Sequence, residues 1–228
     1  MLGGRAIARA IGVLMQNILR TDESEILVTS NKINSDDIIL VFAGFGYTLD
    51  QPYLYYSIRL ATELGFKCIG FDLQYYANTR FLKLNEKEQD EYFENDIASI
   101  ENFIKNNDLN KTKIAIGKSL GTTIISRLIK NEVLNKQCDY VLFTPGTEWN
   151  NIIPIITNNE SRTFIVGSKA DKNYIVENLN KIYNRKNIIV NELKNENHSL
   201  ETLEVINDIG TLHKIMSNIK KYIEEKST

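Results

Sequence analysis

Short runs that are apolar at nearly every position recur along this chain: Ile38–Phe42, Cys68–Phe71, residues 113–116, Tyr140–Phe143, Thr163–Val166 and Ile188–Val190. A strand with one face in water alternates apolar and polar side chains. These runs do not alternate, so both of their faces must be covered, which is the condition of a parallel sheet between helices. Amphipathic segments lie between them. Residues 52–64 start on Pro52, stop before Gly65, and place Leu54, Ser57, Leu60, Ala61 and Leu64 on one stripe. Residues 90–106 space Phe93, Ile97, Ile100 and Ile104 in the same way, and the C-terminal segment repeats the pattern with Leu212, Ile215, Met216, Ile219, Tyr222 and Ile223. Strand and helix in alternation predict an α/β fold with a doubly wound, mostly parallel sheet, whose ligands sit at the carboxyl ends of the strands. Ile26–Thr29 reads as an extra edge strand, paired antiparallel. At 228 residues, with no repeat and no low-complexity linker, one domain over residues 21–228 is expected.

One turn in this pattern carries chemistry. Gly117-Lys118-Ser119-Leu120-Gly121 follows Ile114-Ala115-Ile116 and opens a helical period through Leu120, Ile124, Ile125, Leu128 and Ile129. G-x-S-x-G between a strand and a helix describes a nucleophile elbow. Its sharpness forces the serine into an unfavourable backbone conformation, while Gly117 and Gly121 leave room for neighbouring chain. The hydroxyl then stands at the top of the sheet beside a helix N-terminus, where amides can meet developing negative charge. The rival reading is a phosphate-binding P-loop ending in Gly-Lys-Ser. That motif needs a glycine where this chain has Thr112, and it is rejected.

A serine needs a base, and the base needs an orienting carboxylate. The chain has two histidines. His213 falls within the C-terminal helix and reads as a surface or boundary residue. His198 lies in the polar stretch Asn195-Glu196-Asn197-His198-Ser199, after the last apolar run and before the last helix. Between serine and histidine, Asp171 follows the run Thr163–Val166 through Gly167-Ser168-Lys169-Ala170. Its competing role is an N-cap for a helix starting near Lys172, worth about 1 kcal/mol. Asp139, Glu148 and Glu160 lack this strand-end position; Asp139 precedes its strand and belongs at the opposite end of the sheet.

The order Ser119, Asp171, His198 on such a sheet resembles the α/β-hydrolase superfamily, and the Gly-x-x-x-Asp and Asn-His-Ser-Leu stretches look like its acid and histidine loops. The likeness covers residues 36–228 and is nearest in style to compact, lidless members, dienelactone-hydrolase-like or serine-peptidase-like. It implies an oxyanion hole from two backbone amides, that of Leu120 and that of Phe45 in the loop Ala43-Gly44-Phe45-Gly46-Tyr47. Many relatives carry histidine where this chain has Ala43, so a side-chain support of that loop is expected to be missing. The implied activity is a serine hydrolase, esterase-like or thioesterase-like, acting by acyl transfer on a small carboxylic ester, thioester or amide. No metal or organic cofactor is required by that chemistry. The alternative is a non-catalytic binding or interaction module on the same fold.

Only a short helix-sized insert (residues 148–157) precedes the strand at Thr163, so an open, shallow pocket is expected. Leu73–Gln89, with Tyr75, Tyr76 and Phe81, is a second possible cover; its aromatics serve either substrate contact or ordinary packing. A net charge of −2 with both signs interspersed offers no surface for nucleic acid. The two cysteines, Cys68 and Cys138, abut apolar runs and read as buried thiols, not as a disulfide or metal framework, in a cytoplasmic protein. Residues 1–20, with Arg5, Arg9 and Arg20 among Gly and Ala and no acid before Asp22, read as an extension outside the fold. Membrane contact through them is the functional reading, although they are too short and too interrupted to span a bilayer; the alternative is a start-site extension with Met15 as the natural beginning.

Overall fold

The computed structural model describes residues 14–145, 161–174 and 185–226, together with Ile153, Pro154, Ile156 and Ile182. Eight strands form one sheet: β1 (Leu14–Leu19), β2 (Glu25–Ser30), β3 (Ile38–Phe42), β4 (Lys67–Asp72), β5 (Ile114–Lys118), β6 (Asp139–Phe143), β7 (Thr163–Ser168) and β8 (Ile188–Leu193), in the order β1-β2-β4-β3-β5-β6-β7-β8. From β4 to β8 every pairing is parallel, whereas β1–β2 and β2–β4 are antiparallel. The four described helices are α1 (Pro52–Glu63), α2 (Glu86–Asn106), α3 (Leu120–Lys130) and α4 (Val205–Glu224).

Period-two geometry divides each apolar run between two cores. Ile38, Leu40 and Phe42 of β3 face a cluster with Ile97, Ile100 and Ile104 of α2 and Ile124, Ile125 and Leu128 of α3. Ile39 and Val41 face the other cluster, with Leu54, Ile58 and Ala61 of α1 and Ile215, Ile219 and Ile223 of α4. Every residue of β3 is therefore buried, which is why its run is apolar throughout. The carboxyl ends of β3, β5, β6, β7 and β8 share one rim.

Three expectations need correction. Ile26–Thr29 does lie in an antiparallel strand, but β2 is not the edge; β1 covers it, in register from Leu14 opposite Ser30 to Leu19 opposite Glu25. Residues 14–19, placed outside the fold with the rest of the extension, thus belong to the sheet. Arg20 is buried and bidentate to Asp96, Nε to Oδ1 and Nη2 to Oδ2, both at 2.8 Å. Composition misled here because the partner lies 76 positions downstream. Residues 1–13 lie outside the described residues. Helix α2 also starts earlier than residue 90. Asn85 accepts from the Glu88 amide while Glu88 accepts from the Asn85 amide, a capping box that the apolar spacing alone did not reveal.

Of the insert at 148–157 only Ile153, Pro154 and Ile156 are among the described residues, and both isoleucines are buried in the first core. The segment 73–89 folds as single turns at Tyr75–Ala77 and Phe81–Lys83. Tyr75 and Phe81 are buried and stacked, centroids 3.9 Å apart, so both are packing residues; Tyr76 alone of the three is exposed. Cys68 and Cys138 are buried and free.

Candidate active site

Strand β5 ends on Lys118, and α3 begins on Leu120, so Ser119 is the whole turn. Its φ of 51° and ψ of −113° lie where a residue with a side chain is strained. Hydrogen bonds hold it there. The Ser119 amide donates to the Phe143 carbonyl at 2.9 Å, and the Thr122 amide and hydroxyl donate to the Ser119 carbonyl at 2.8 and 2.7 Å. The flanking glycines permit the close approach this turn requires. A Cβ on Gly121 would stand 2.2 Å from the Phe42 carbonyl oxygen, and one on Gly117 would stand 2.7 Å from the Gly121 carbonyl. Both obstacles are backbone, which cannot rotate aside.

Asp171 lies three residues past β7, its amide donating to the Ser168 carbonyl at 3.1 Å. Its Oδ1 accepts from the Asn173 amide at 2.9 Å, which leaves Oδ2 for a longer-range partner. The helix expected from Lys172 lies largely outside the described residues. His198 sits between β8 and α4 in a loop tied by Asn197, whose side-chain oxygen accepts from the Ser199 and Glu201 amides at 2.8 and 3.2 Å. The Asn197 amide donates to the Glu201 carbonyl at 2.8 Å and the Leu200 amide to the Asn197 carbonyl at 2.9 Å.

These three elements bring their side chains together. His198 Nδ1 lies 2.7 Å from Asp171 Oδ2, and His198 Nε2 lies 2.8 Å from Ser119 Oγ. A carboxylate only accepts, so the proton belongs on Nδ1, and Nε2 is the free acceptor facing the serine hydroxyl. The Asp171 side chain is 2 % exposed and the His198 side chain 36 % exposed. An anion is thus held inside while the imidazole edge meets solvent. His213 is exposed on α4, and Asp139 begins β6, bound to Arg162 at 2.9 Å and Lys226 at 3.2 Å at the far end of the sheet.

The loop after β3 passes against this turn. A Cβ on Gly44 would stand 3.0 Å from the Lys118 carbonyl oxygen and 3.5 Å from Ser119 Cβ. The amides of Phe45 and Leu120 donate to no protein acceptor among the described residues. Ala43 lends no side-chain support, as expected, yet the loop is held by other means. Its amide donates to the Phe71 carbonyl, the Gly44 amide donates to the Tyr47 carbonyl at 2.8 Å, and the Tyr47 hydroxyl accepts from the Tyr53 amide at 3.1 Å. Phe45 packs on Tyr75 and Phe81 at 6.1 and 6.2 Å between centroids.

Sequence reasoning passed over Tyr47, Asn197 and above all Lys118, which it weighed only as the end of a P-loop. Lys118 is 1 % exposed and turns inward. Its Nζ donates to the Thr144 hydroxyl and, at 2.6 Å, to the His198 carbonyl, and lies 4.9 Å from the Tyr47 ring centroid. Burial pushes its pKa down to about 7, against the opposing pull of Asp171 and Glu201. The available signal was a lysine as the last residue of a strand whose other positions are apolar or glycine.

Comparison with known proteins places the fold. No protein-family model matches the sequence, and no curated protein does. Solved structures do. An esterase from Pyrococcus furiosus superposes with a TM-score of 0.65 at 13 % identity, over 99 % of this chain and 94 % of that one. Est1E from Butyrivibrio proteoclasticus gives 0.64 at 11 %, over 93 % and 98 %. A Xanthomonas campestris α/β serine hydrolase without a lid gives 0.59 at 10 %, over 94 % and 93 %. With its sheet order, this chain has the α/β-hydrolase fold.

Proposed function

We propose that the protein is a serine hydrolase that works by acyl transfer through Ser119, His198 and Asp171. The observation that carries the reading is the continuous hydrogen-bonded line Asp171 Oδ2, His198 Nδ1, His198 Nε2, Ser119 Oγ, with spacings of 2.7 and 2.8 Å at its ends. The nucleophile elbow is the second support, since strain at Ser119 keeps its hydroxyl clear of the helix it precedes. Esterases among the structural neighbours point to the same reaction class.

In the proposed mechanism His198 Nε2 takes the hydroxyl proton as Ser119 Oγ attacks a carbonyl carbon. Asp171 stabilises the imidazolium and keeps its own charge. The amides of Phe45 and Leu120 receive the oxyanion, each worth about 3 kcal/mol or two to three orders of magnitude in rate. The imidazolium then protonates the leaving group, and water activated by the same nitrogen releases the acyl group. The substrate is a small carboxylic ester, thioester or amide. Two free, buried thiols fit a reducing compartment, and the proposal places the enzyme in the cytoplasm. Among the described residues no helix is long and apolar enough to cross a membrane.

A fluorophosphonate probe tests the reading. Wild-type protein becomes labelled and Ser119→Ala does not. A folded wild type that stays unlabelled would favour the binding module instead.

A further inference from the structure

Lys118 occupies the position before the serine, yet nothing in the proposed acyl transfer uses its side chain. It is also an expensive residue to bury: an ammonium loses its hydration, and an apolar residue of equal length in such a site is often neutral or stabilising. Its surroundings indicate what it does. The charged and polar groups that face it come from separate segments: Tyr47 from the loop between β3 and α1, Thr144 just past β6, Asp171 past β7, and His198 and Glu201 from the loop between β8 and α4. One cation thus joins the serine turn to each of its neighbours along the rim.

The histidine loop shows why that junction matters. Asn197 fixes the loop's shape through bonds within the loop itself, which leave its height above the sheet undetermined. Burial of Leu200 anchors its apolar side, and the Tyr53 hydroxyl approaches the Leu200 carbonyl only at 3.4 Å. The backbone of His198 itself is held at 2.6 Å by Lys118 Nζ, from the residue next to Ser119. The two segments that must meet through Ser119 and His198 are therefore linked a second time, by Lys118.

We propose that Lys118 is a positioning residue: its ammonium, braced on Thr144, sets the height of the His198 loop so that Nε2 stays in line with Ser119 Oγ. The catalytic consequence rests on the serine-hydrolase reading; the structural one does not. Loss of this brace lowers kcat and leaves substrate binding largely unchanged, a split that a purely packing role would not have.

The test compares wild type, Lys118→Met and Thr144→Val by amide hydrogen exchange, fluorophosphonate labelling and hydrolysis of p-nitrophenyl acetate. Lys118→Met keeps the unbranched apolar stem and removes the ammonium. Its expected profile is a kcat and labelling rate about 100-fold lower, the loss that follows a misplacement of about 1 Å. KM stays within about threefold, and amides 197–202 exchange about tenfold faster. Thr144→Val shifts the same readouts in the same direction by less, and decides the matter if Lys118→Met does not fold. A folded variant with wild-type kcat and exchange overturns the proposal. Should wild type neither label nor turn over ester, the serine-hydrolase reading fails. Exchange at 197–202 still tests the brace: faster exchange sustains it and unchanged exchange overturns it.

Discussion

Gly121→Ala turns the geometry of the serine turn into a number. The new Cβ would lie 2.2 Å from the Phe42 carbonyl oxygen, 2.8 Å from its carbon and 2.9 Å from the Ala43 oxygen, whereas ordinary contact begins near 3.4 Å. All three atoms are backbone of β3 or of the loop leaving it, so no rotamer relieves the overlap. The start of α3 must retreat from β3 by about 1 Å. Overpacking of this kind costs about 1–3 kcal/mol. The retreat carries Ser119 away from His198 Nε2, now 2.8 Å distant, and a displacement of about 1 Å lowers rate about 100-fold. Two other glycines isolate the cause. Gly46→Ala meets nothing within 4 Å and is expected to be silent in stability. Gly65→Ala also enters open space but at a φ of +83°, so about 1–2 kcal/mol of stability is lost with the labelling rate unchanged. Urea titration and fluorophosphonate labelling of the three variants provide both axes. A folded Gly121→Ala as stable and as fast as Gly46→Ala would refute the argument that the turn needs backbone contact at residue 121.

Asp171→Asn presents an amide donor to His198 Nδ1, forces the proton onto Nε2 and should lower kcat by about four orders of magnitude, read by ester turnover, with little change in the urea midpoint. Asp96→Ala strands the buried Arg20 guanidinium, which donates to both carboxylate oxygens, and removes the acceptor of the Tyr75 hydroxyl at 2.6 Å; a loss of about 3–5 kcal/mol is expected in urea unfolding. Asp72 is buried at the end of β4, and burial raises its pKa from 3.8 to about 6. Between those values the folded state binds more protons than the unfolded one, so stability from this group is present at low pH and is lost as pH rises through about 6. Asp72→Asn should therefore be more stable than wild type at pH 8, by up to about 3 kcal/mol, and equal to it near pH 3 in urea titrations at the two pH values.

Much of this architecture is legible from local chemistry. The apolar run of β3 and the stripe of α1 announce themselves within a few residues, because a strand repeats every two positions and a helix every 3.6. Pro52 opens α1 at its first turn and Gly65 closes it at positive φ, as their backbone limits require. The scarcity of histidine narrowed the search for a base to His198. The loop order along the chain then brought Asp171 forward, and His198 lies within hydrogen-bond distance of both Asp171 and Ser119. The start of α2 was missed although its signal, Asn85 and Glu88, was equally local.

Alone, then, the sequence determined the strands from β2 to β8 and the apolar stripes of the helices, that both faces of the sheet are covered, and where a strained serine turn falls. Only the tertiary structure decided that β1 closes the edge, that Arg20 is matched by Asp96, and that Lys118 reaches beneath His198. The reason is physical. Periodicity and turn chemistry act between near neighbours, whereas a buried charge takes whatever partner the packed chain brings to it, and sequence spacing carries no mark of that choice.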